Sequence, residues 1–131
     1  MVTNHILEFE FNRMNKKYFR GEIEIESVRF KNLGKRMGMT ELVWHTRPTT
    51  KAERKKEGLS ETSWACYYRP RIWIDSKSRT SGRQSMCTLI HEMAHCATWE
   101  ARKGICNSGR WNSFNKEMLR LAKAGAFNGW W

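Results

Sequence analysis

The sequence predicts one α+β domain, built from an N-terminal helix, a small three-stranded sheet, a long helix and a C-terminal helix. Three observations carry that prediction. Apolar residues recur at helical spacing near both ends of the 131-residue chain. Short alternating or aromatic-rich runs, bounded by turn residues, lie between them. Residues 83–103 contain neither Gly nor Pro and hold an apolar stripe with His91-Glu92-Met93-Ala94-His95 beside it. The length suits a single domain with one core.

Residues 3–19 read as the first helix. Thr3 suits the N-cap, where its hydroxyl accepts a backbone N–H. Leu7, Phe11, Met14 and Tyr18 follow at spacings of four, three and four and form one apolar stripe. Lys16 and Lys17 crowd the last turn, where cations suit the helix dipole, and Gly21 stops the helix. Glu22-Ile23-Glu24-Ile25-Glu26 alternates with the period of a half-buried strand. Val28 and Phe30 continue it out of phase, which predicts a bulge or turn near Ser27. Residues 31–36, with Gly34, read as a turn. Residues 37–45 read as a second strand, with Leu42 and Trp44 on one face and Val43 on the other; Pro48 ends it.

Residues 49–63 are polar. They read as an exposed loop or short helix, with a phosphate-contacting insert as the sharper alternative. Residues 64–68 and 71–75 form a third strand region, broken at Pro70. A loop then leads to the long helix, which Thr80 or Ser81 can cap. Gly104 opens a second loop. A last helix starts at Asn112 or Ser113, carries Phe114, Met118 and Leu121 as its stripe, and closes at Gly125. The apolar tail to Trp131 either tucks against the body or offers a stacking surface.

The formal charge is +11 and the pI about 9.9. A small domain this basic attracts polyanions, of which DNA or another nucleic acid is the commonest. No segment approaches the roughly 20 apolar residues of a membrane span. Residues 1–5 show no basic region leading into an apolar run, so no secretory signal is expected. The expected setting is the cytoplasm, including association with DNA. Cys66, Cys87, Cys96 and Cys106 show no Cys-x-x-Cys spacing and are expected to be reduced. Cys87 and Cys96 read as small packing residues of the long helix. Cys106 falls in the loop that follows it.

The chemistry concentrates in His91-Glu92-Met93-Ala94-His95. Residues four apart on a helix share a face, so His91 and His95 can grip one metal ion. Glu92 stands next to the first ligand and can reach a water that the ion acidifies, taking its proton. Met86, Leu89, Ile90, Met93, Ala94 and Ala97 form the buried stripe, which puts the histidines at its edge, where a cleft floor belongs.

The order of elements resembles that of the SprT family, the zinc metallopeptidases that include Spartan. The residues carrying the resemblance run from about Phe9 to Leu121. Phe11-Asn12-x-x-Asn15-Lys16-Lys17-Tyr18-Phe19-Arg20-Gly21-Glu22-Ile23 is similar to the family's opening, Ile72-Trp73-Ile74 to the strand before its long helix, and Leu89-Ile90-His91-Glu92-Met93-Ala94-His95-Cys96 to its core motif. Phe114 matches the aromatic after the family's later His-Gly. The resemblance implies a compact zincin-like domain, zinc as cofactor, His91 and His95 as metal ligands, Glu92 as general base, and cleavage of protein bound to DNA.

The sequence departs from the family at the third ligand. The place of that histidine holds Arg110, or Ser108 on an alternative alignment, and no histidine follows His95. Arginine is always cationic and repels a metal ion. Cys106, as a thiolate, His45 or His5 are the alternatives, as is completion by a substrate or partner. Two readings therefore stand. One is a zinc-dependent peptidase acting on DNA-associated protein. The other is a catalytically degenerate basic module on the same fold that binds nucleic acid or a partner protein.

Overall fold

A mixed three-stranded sheet carries its helices on one face, in a computed structural model that describes residues 1–98 and 111–128. The elements run α1 (Asn4–Tyr18), β1 (Ser27–Lys31), β2 (Gly38–Pro48), α2 (Lys51–Glu57), β3 (Trp64–Asp75), a 3-10 turn (Ser76–Thr80), α3 (Gly82–Thr98) and α4 (Trp111–Lys123). The strand order is β1-β3-β2, with β1 parallel and β2 antiparallel to β3. The α+β class and the sequence of elements are those expected. No helix among the described residues is long and apolar enough to cross a membrane.

Helix α1 begins where its cap is. Thr3 Oγ1 accepts from the Ile6 N–H at 3.2 Å. Leu7, Phe11 and Met14 are buried along the predicted stripe. The helix ends at Tyr18, and the chain turns away through Arg20 and Gly21 at φ 57° and 71°, a left-handed region that glycine takes without strain. Asn15 ties the end down. Its side-chain amide donates to the Ile23 carbonyl at 2.8 Å and its carbonyl accepts from the Ile23 N–H at 3.1 Å, all inside the core. This explains why Asn15 stands in a pattern of otherwise apolar buried residues.

Two expectations are corrected here. The alternating run 22–26 is not a strand; the first strand is Ser27–Lys31. Residues 22–25 make no ladder, and Ile23 is held by Asn15 instead. Alternation alone cannot supply a neighbouring strand. The third strand is also not broken at Pro70. It runs unbroken through it, with Pro70 opposite Leu42. The β1 ladder starts one residue later, at Ser27 opposite Arg71; the Pro70 carbonyl accepts from the Glu26 N–H at 2.8 Å, so Pro70 sits at the very start of that edge, where a sheet tolerates a missing N–H.

The polar segment is helical in part. Thr50 and Glu53 form a capping box on α2, which buries none of its residues. Arg47 clamps Glu53 through two hydrogen bonds of 2.7 and 3.0 Å and holds its carboxyl down at about 2. At the other end of the chain, Ala126 and Phe127 are buried, so this part of the tail tucks against the body. Residues 129–131 lie outside the described residues.

The core fills the space between the helices and the inner sheet face. Val28, Phe30, Ile72 and Ile74 point inward and meet Leu7, Met86, Leu89, Ile90, Met93 and Leu121. The alternate strand positions point outward and are exposed or half-buried, among them Arg29, Lys31, Arg69 and Trp73.

Replacing Asn15 by Ala leaves both backbone groups of Ile23 buried without partners. Unfolding in urea is expected to show a loss of about 2–3 kcal/mol. An unchanged midpoint would mean that water reaches Ile23.

Candidate metal centre

Helix α3 places the motif. Ser81 caps it by accepting from the Gln84 N–H at 3.1 Å. Ser85, Met86, Leu89, Ile90, Met93 and Ala94 anchor its buried face. That orientation leaves His91 at the exposed border and His95 half-buried one turn on. Their Nε2 atoms converge to 3.2 Å. Phe114, from α4, fixes both rings: it stacks on His95 with centroids 4.0 Å apart and meets His91 edge-on at 5.0 Å. Phe114 is itself buried, so the ring contacts are braced by the core.

The electrostatics suit ligation. Desolvation lowers the pKa of both imidazoles below the ordinary value; the neighbouring His91 lowers that of His95 further. Neutral imidazole is the form that binds a metal.

Glu92 is not a surface carboxylate. It is 6% exposed. Burial raises its pKa, and a hydrogen bond from Thr40 Oγ1, 2.6 Å from Oε2, works against that rise. Thr40 belongs to β2, the strand at the open edge of the sheet, so this bond joins the edge strand to the motif helix. Gly38 makes the approach possible. A Cβ there would lie 2.7 Å from Thr88 Cγ2 and 3.0 Å from Glu92 Oε1. Only a residue without a side chain lets β2 come this close to α3. Neither Thr40 nor Gly38 was singled out from the sequence, because neither belongs to a motif; the signal lies in the pairing of two segments about 50 residues apart, which a single chain does not display.

Beside His91 and Glu92 opens a cavity of about 510 Å³, lined also by Arg36, Met37, Cys87, Met118 and Phe127. A larger cavity of about 690 Å³ lies against residues 18–24 and the end of α3, and neither histidine nor Glu92 lines it. The chemistry belongs to the smaller one.

The described residues supply two ligands. Among them no group of three or more His, Cys, Asp or Glu side chains is placed to hold a metal ion. His45 is engaged elsewhere, with Nε2 at 2.8 Å from Glu26 and its ring stacked on Tyr67. His5 is exposed on α1. Cys96 lines the larger cavity and not the one beside His91, and burial and the charge of Glu92 push its thiol up to about 12. Cys106, Ser108 and Arg110 all lie outside the described residues.

No family model, curated protein or solved structure matches this chain. The functional reading therefore rests on the site itself.

A methyl group at position 38 must displace Thr88 or Glu92. Gly38→Ala is expected to destabilise the fold by about 1–3 kcal/mol, read from the denaturation midpoint. A variant as stable as the parent would show that β2 has room to retreat from α3.

Proposed function

We propose that this chain is a metal-dependent peptidase of the His-Glu-x-x-His type on a zincin-like, SprT-like fold, acting on protein associated with DNA. The observation that carries the reading is the convergence of His91 and His95 to 3.2 Å beside a buried, hydrogen-bonded Glu92. Two neutral imidazoles aimed at one point fit a divalent ion of zinc's preferences. Such a pair would hold the ion through Nε2, with a third ligand supplied from outside the described residues or by a substrate. Cys106 is the first candidate. A bound zinc ion supplies Lewis-acid chemistry, polarising a carbonyl and acidifying a water.

The rest falls to the chain. Glu92 takes the proton of the attacking water and returns it to the leaving amine. Its raised pKa brings it nearer to the operating pH, which favours a proton shuttle. Thr40 aims the carboxylate by holding Oε2 and leaves Oε1 for the water. The cavity beside His91 gives a substrate side chain a partly apolar place to sit, against Met37, Met118 and Phe127. The charge of +11 draws the chain to DNA, where its protein substrates are concentrated.

One observation favours a second reading. The described residues hold no third ligand, which suits a basic module on this fold that no longer cleaves and binds nucleic acid or a partner protein.

Elemental analysis of the purified chain separates the two. The peptidase reading expects about one zinc per chain, lost in His95→Ala; Cys106→Ser then asks whether that thiol is the third ligand. A folded parent chain that takes up no zinc overturns the peptidase reading.

Glu92→Gln is expected to keep the metal and lower peptide cleavage by about 10²–10⁴-fold. Cleavage at the parent's rate would remove Glu92 from the mechanism. The same variant tests the electrostatics. A carboxyl whose folded pKa is raised destabilises the fold once it is ionised, so stability falls as pH rises from the ordinary carboxylate value through the raised one. Glu92→Gln is thus expected to melt higher than the metal-free parent at neutral pH. That advantage should vanish as the pH falls to about 3, where Glu92 is protonated in both states.

A further inference from the structure

The outer face of the sheet carries a second pattern that the metal centre does not use. Trp73 and Tyr67 stand on β3 three rows apart, with Arg69 and Arg71 between them, half-buried and turned away from the helices. Cations hover over both rings: Lys31 and Arg71 lie 4.9 and 5.6 Å from the Trp73 centroid, and Arg69 lies 5.7 Å from that of Tyr67. Arg29 and Lys31 flank Trp73 from β1, two residues apart on the same face. Arg29, Lys31 and Arg69 are exposed and make no ion pair among the described residues. Two of the carboxylates here are occupied. Glu41 accepts from Trp73 Nε1 at 2.8 Å and from Arg71 at 3.4 Å, and Glu26 lies on His45.

We infer that this face, centred on Trp73, Tyr67, Arg29, Lys31 and Arg69, is a docking surface for single-stranded nucleic acid. Charge complementarity names the polyanion, and the rings narrow it. The rings lie on the open face of the sheet. Its aromatic faces are reached by unpaired bases, which stack with little regard for sequence. A cation resting on an exposed ring is held weakly. When a base takes the ring, the cation swings to the adjacent phosphate and keeps its charge paired. Side chains alternate along a strand, so cations two residues apart stand about 6.7 Å from one another and track an extended backbone. The bond from Trp73 Nε1 to Glu41 fixes the indole plane and keeps it ready for stacking.

The inference deepens the nucleic-acid part of the proposed function and is independent of the metal. Binding of fluorescently labelled oligo-dT, oligo-U and a DNA duplex is measured by anisotropy on the whole chain, with metal content read on the same samples. Single strands are expected to bind more tightly than duplex. The triple change Arg29→Ala, Lys31→Ala, Arg69→Ala is expected to weaken single-strand binding at least tenfold and to reduce the salt slope by about 2, the share of three phosphate contacts. Trp73→Leu and Tyr67→Leu are each expected to weaken it by roughly tenfold. The control removes the same charge from exposed sites on the helices, Lys16→Ala, Lys17→Ala and Lys123→Ala, and is expected to change affinity less than twofold. Thermal melts report whether each variant is folded; the alanine changes lie at exposed positions and keep the test open if Trp73→Leu does not fold. The relative affinity for oligo-dT and oligo-U tells DNA from RNA as the occupant.

Three results overturn the inference. One is equal loss in the triple variant and the control, which leaves diffuse charge alone. Another is folded ring variants that bind like the parent. The third is a chain that ignores every strand and binds an acidic peptide through these residues, which makes the occupant a protein. Loss of strand binding at unchanged metal content belongs to this face, and loss of metal at unchanged strand binding belongs to the site on α3.

Discussion

The site depends on how closely an edge strand approaches a helix. Thr40 on β2 hydrogen-bonds Glu92 on α3 at 2.6 Å, and Gly38 removes the side chain that would hold the two apart. A carboxylate left 6% exposed against an apolar stripe is costly without a partner. Thr40 supplies that partner as a neutral donor, so the charge is tolerated without being neutralised by a cation. A lysine or arginine in the same place would stabilise the carboxylate more and pull its pKa down, away from the range in which it exchanges protons near neutrality. The hydroxyl therefore represents a compromise: enough to hold Glu92 in one rotamer, too little to lock it ionised.

The two faces of the sheet are chemically segregated. Ile72 and Ile74 seal the inner face to α1 and α3, and through α3 they fix the angle at which His91 and His95 emerge. Trp73 and Arg71, the alternating residues of that strand, stand outside among the cations. A strand's period of two makes this division automatic, and a slip of one residue would bury the arginines and expose the isoleucines. The register of β1 on β3, Val28 opposite Ile72 and Phe30 opposite Ile74, is thus held by the energetics of the core while it sets the layout of the basic face.

Much of this was legible in the chain. Thr3, Leu7, Phe11, Met14 and Gly21 announce α1 through local chemistry alone, and the helix is there. The His-Glu-x-x-His spacing places two imidazoles on one face by helical geometry, and their Nε2 atoms do converge. What failed depends on partners far away in sequence. Residues 22–25 have the alternation of a strand but pair with no neighbour, and Glu26 reaches β3 through a single bond to the Pro70 carbonyl. Pro70 carries a breaker's signature, yet it sits where the adjoining strand has not begun and no donor is missed. Gly38 and Asn15 are single letters whose roles exist only once Thr88 and Ile23 are brought to them. Periodicity reports the preferences of a segment; it carries no information about which other segment will meet it.

The placement of Phe114 bears on how the site reads. It lies on α4, and its ring covers the His95 face at 4.0 Å while its edge meets His91. An apolar ring in that position desolvates both imidazoles and lowers their affinity for protons, which raises the fraction available to a metal at neutral pH. For the fold alone the arrangement brings little: a pair of apolar residues at 91 and 95 would pack on Phe114 at least as well and without a desolvation penalty. Neutral histidines braced by a buried aromatic, next to a glutamate held by a neutral donor, form a set of polar groups desolvated and held in place at some expense to stability. That is the pattern expected of a site retained for chemistry.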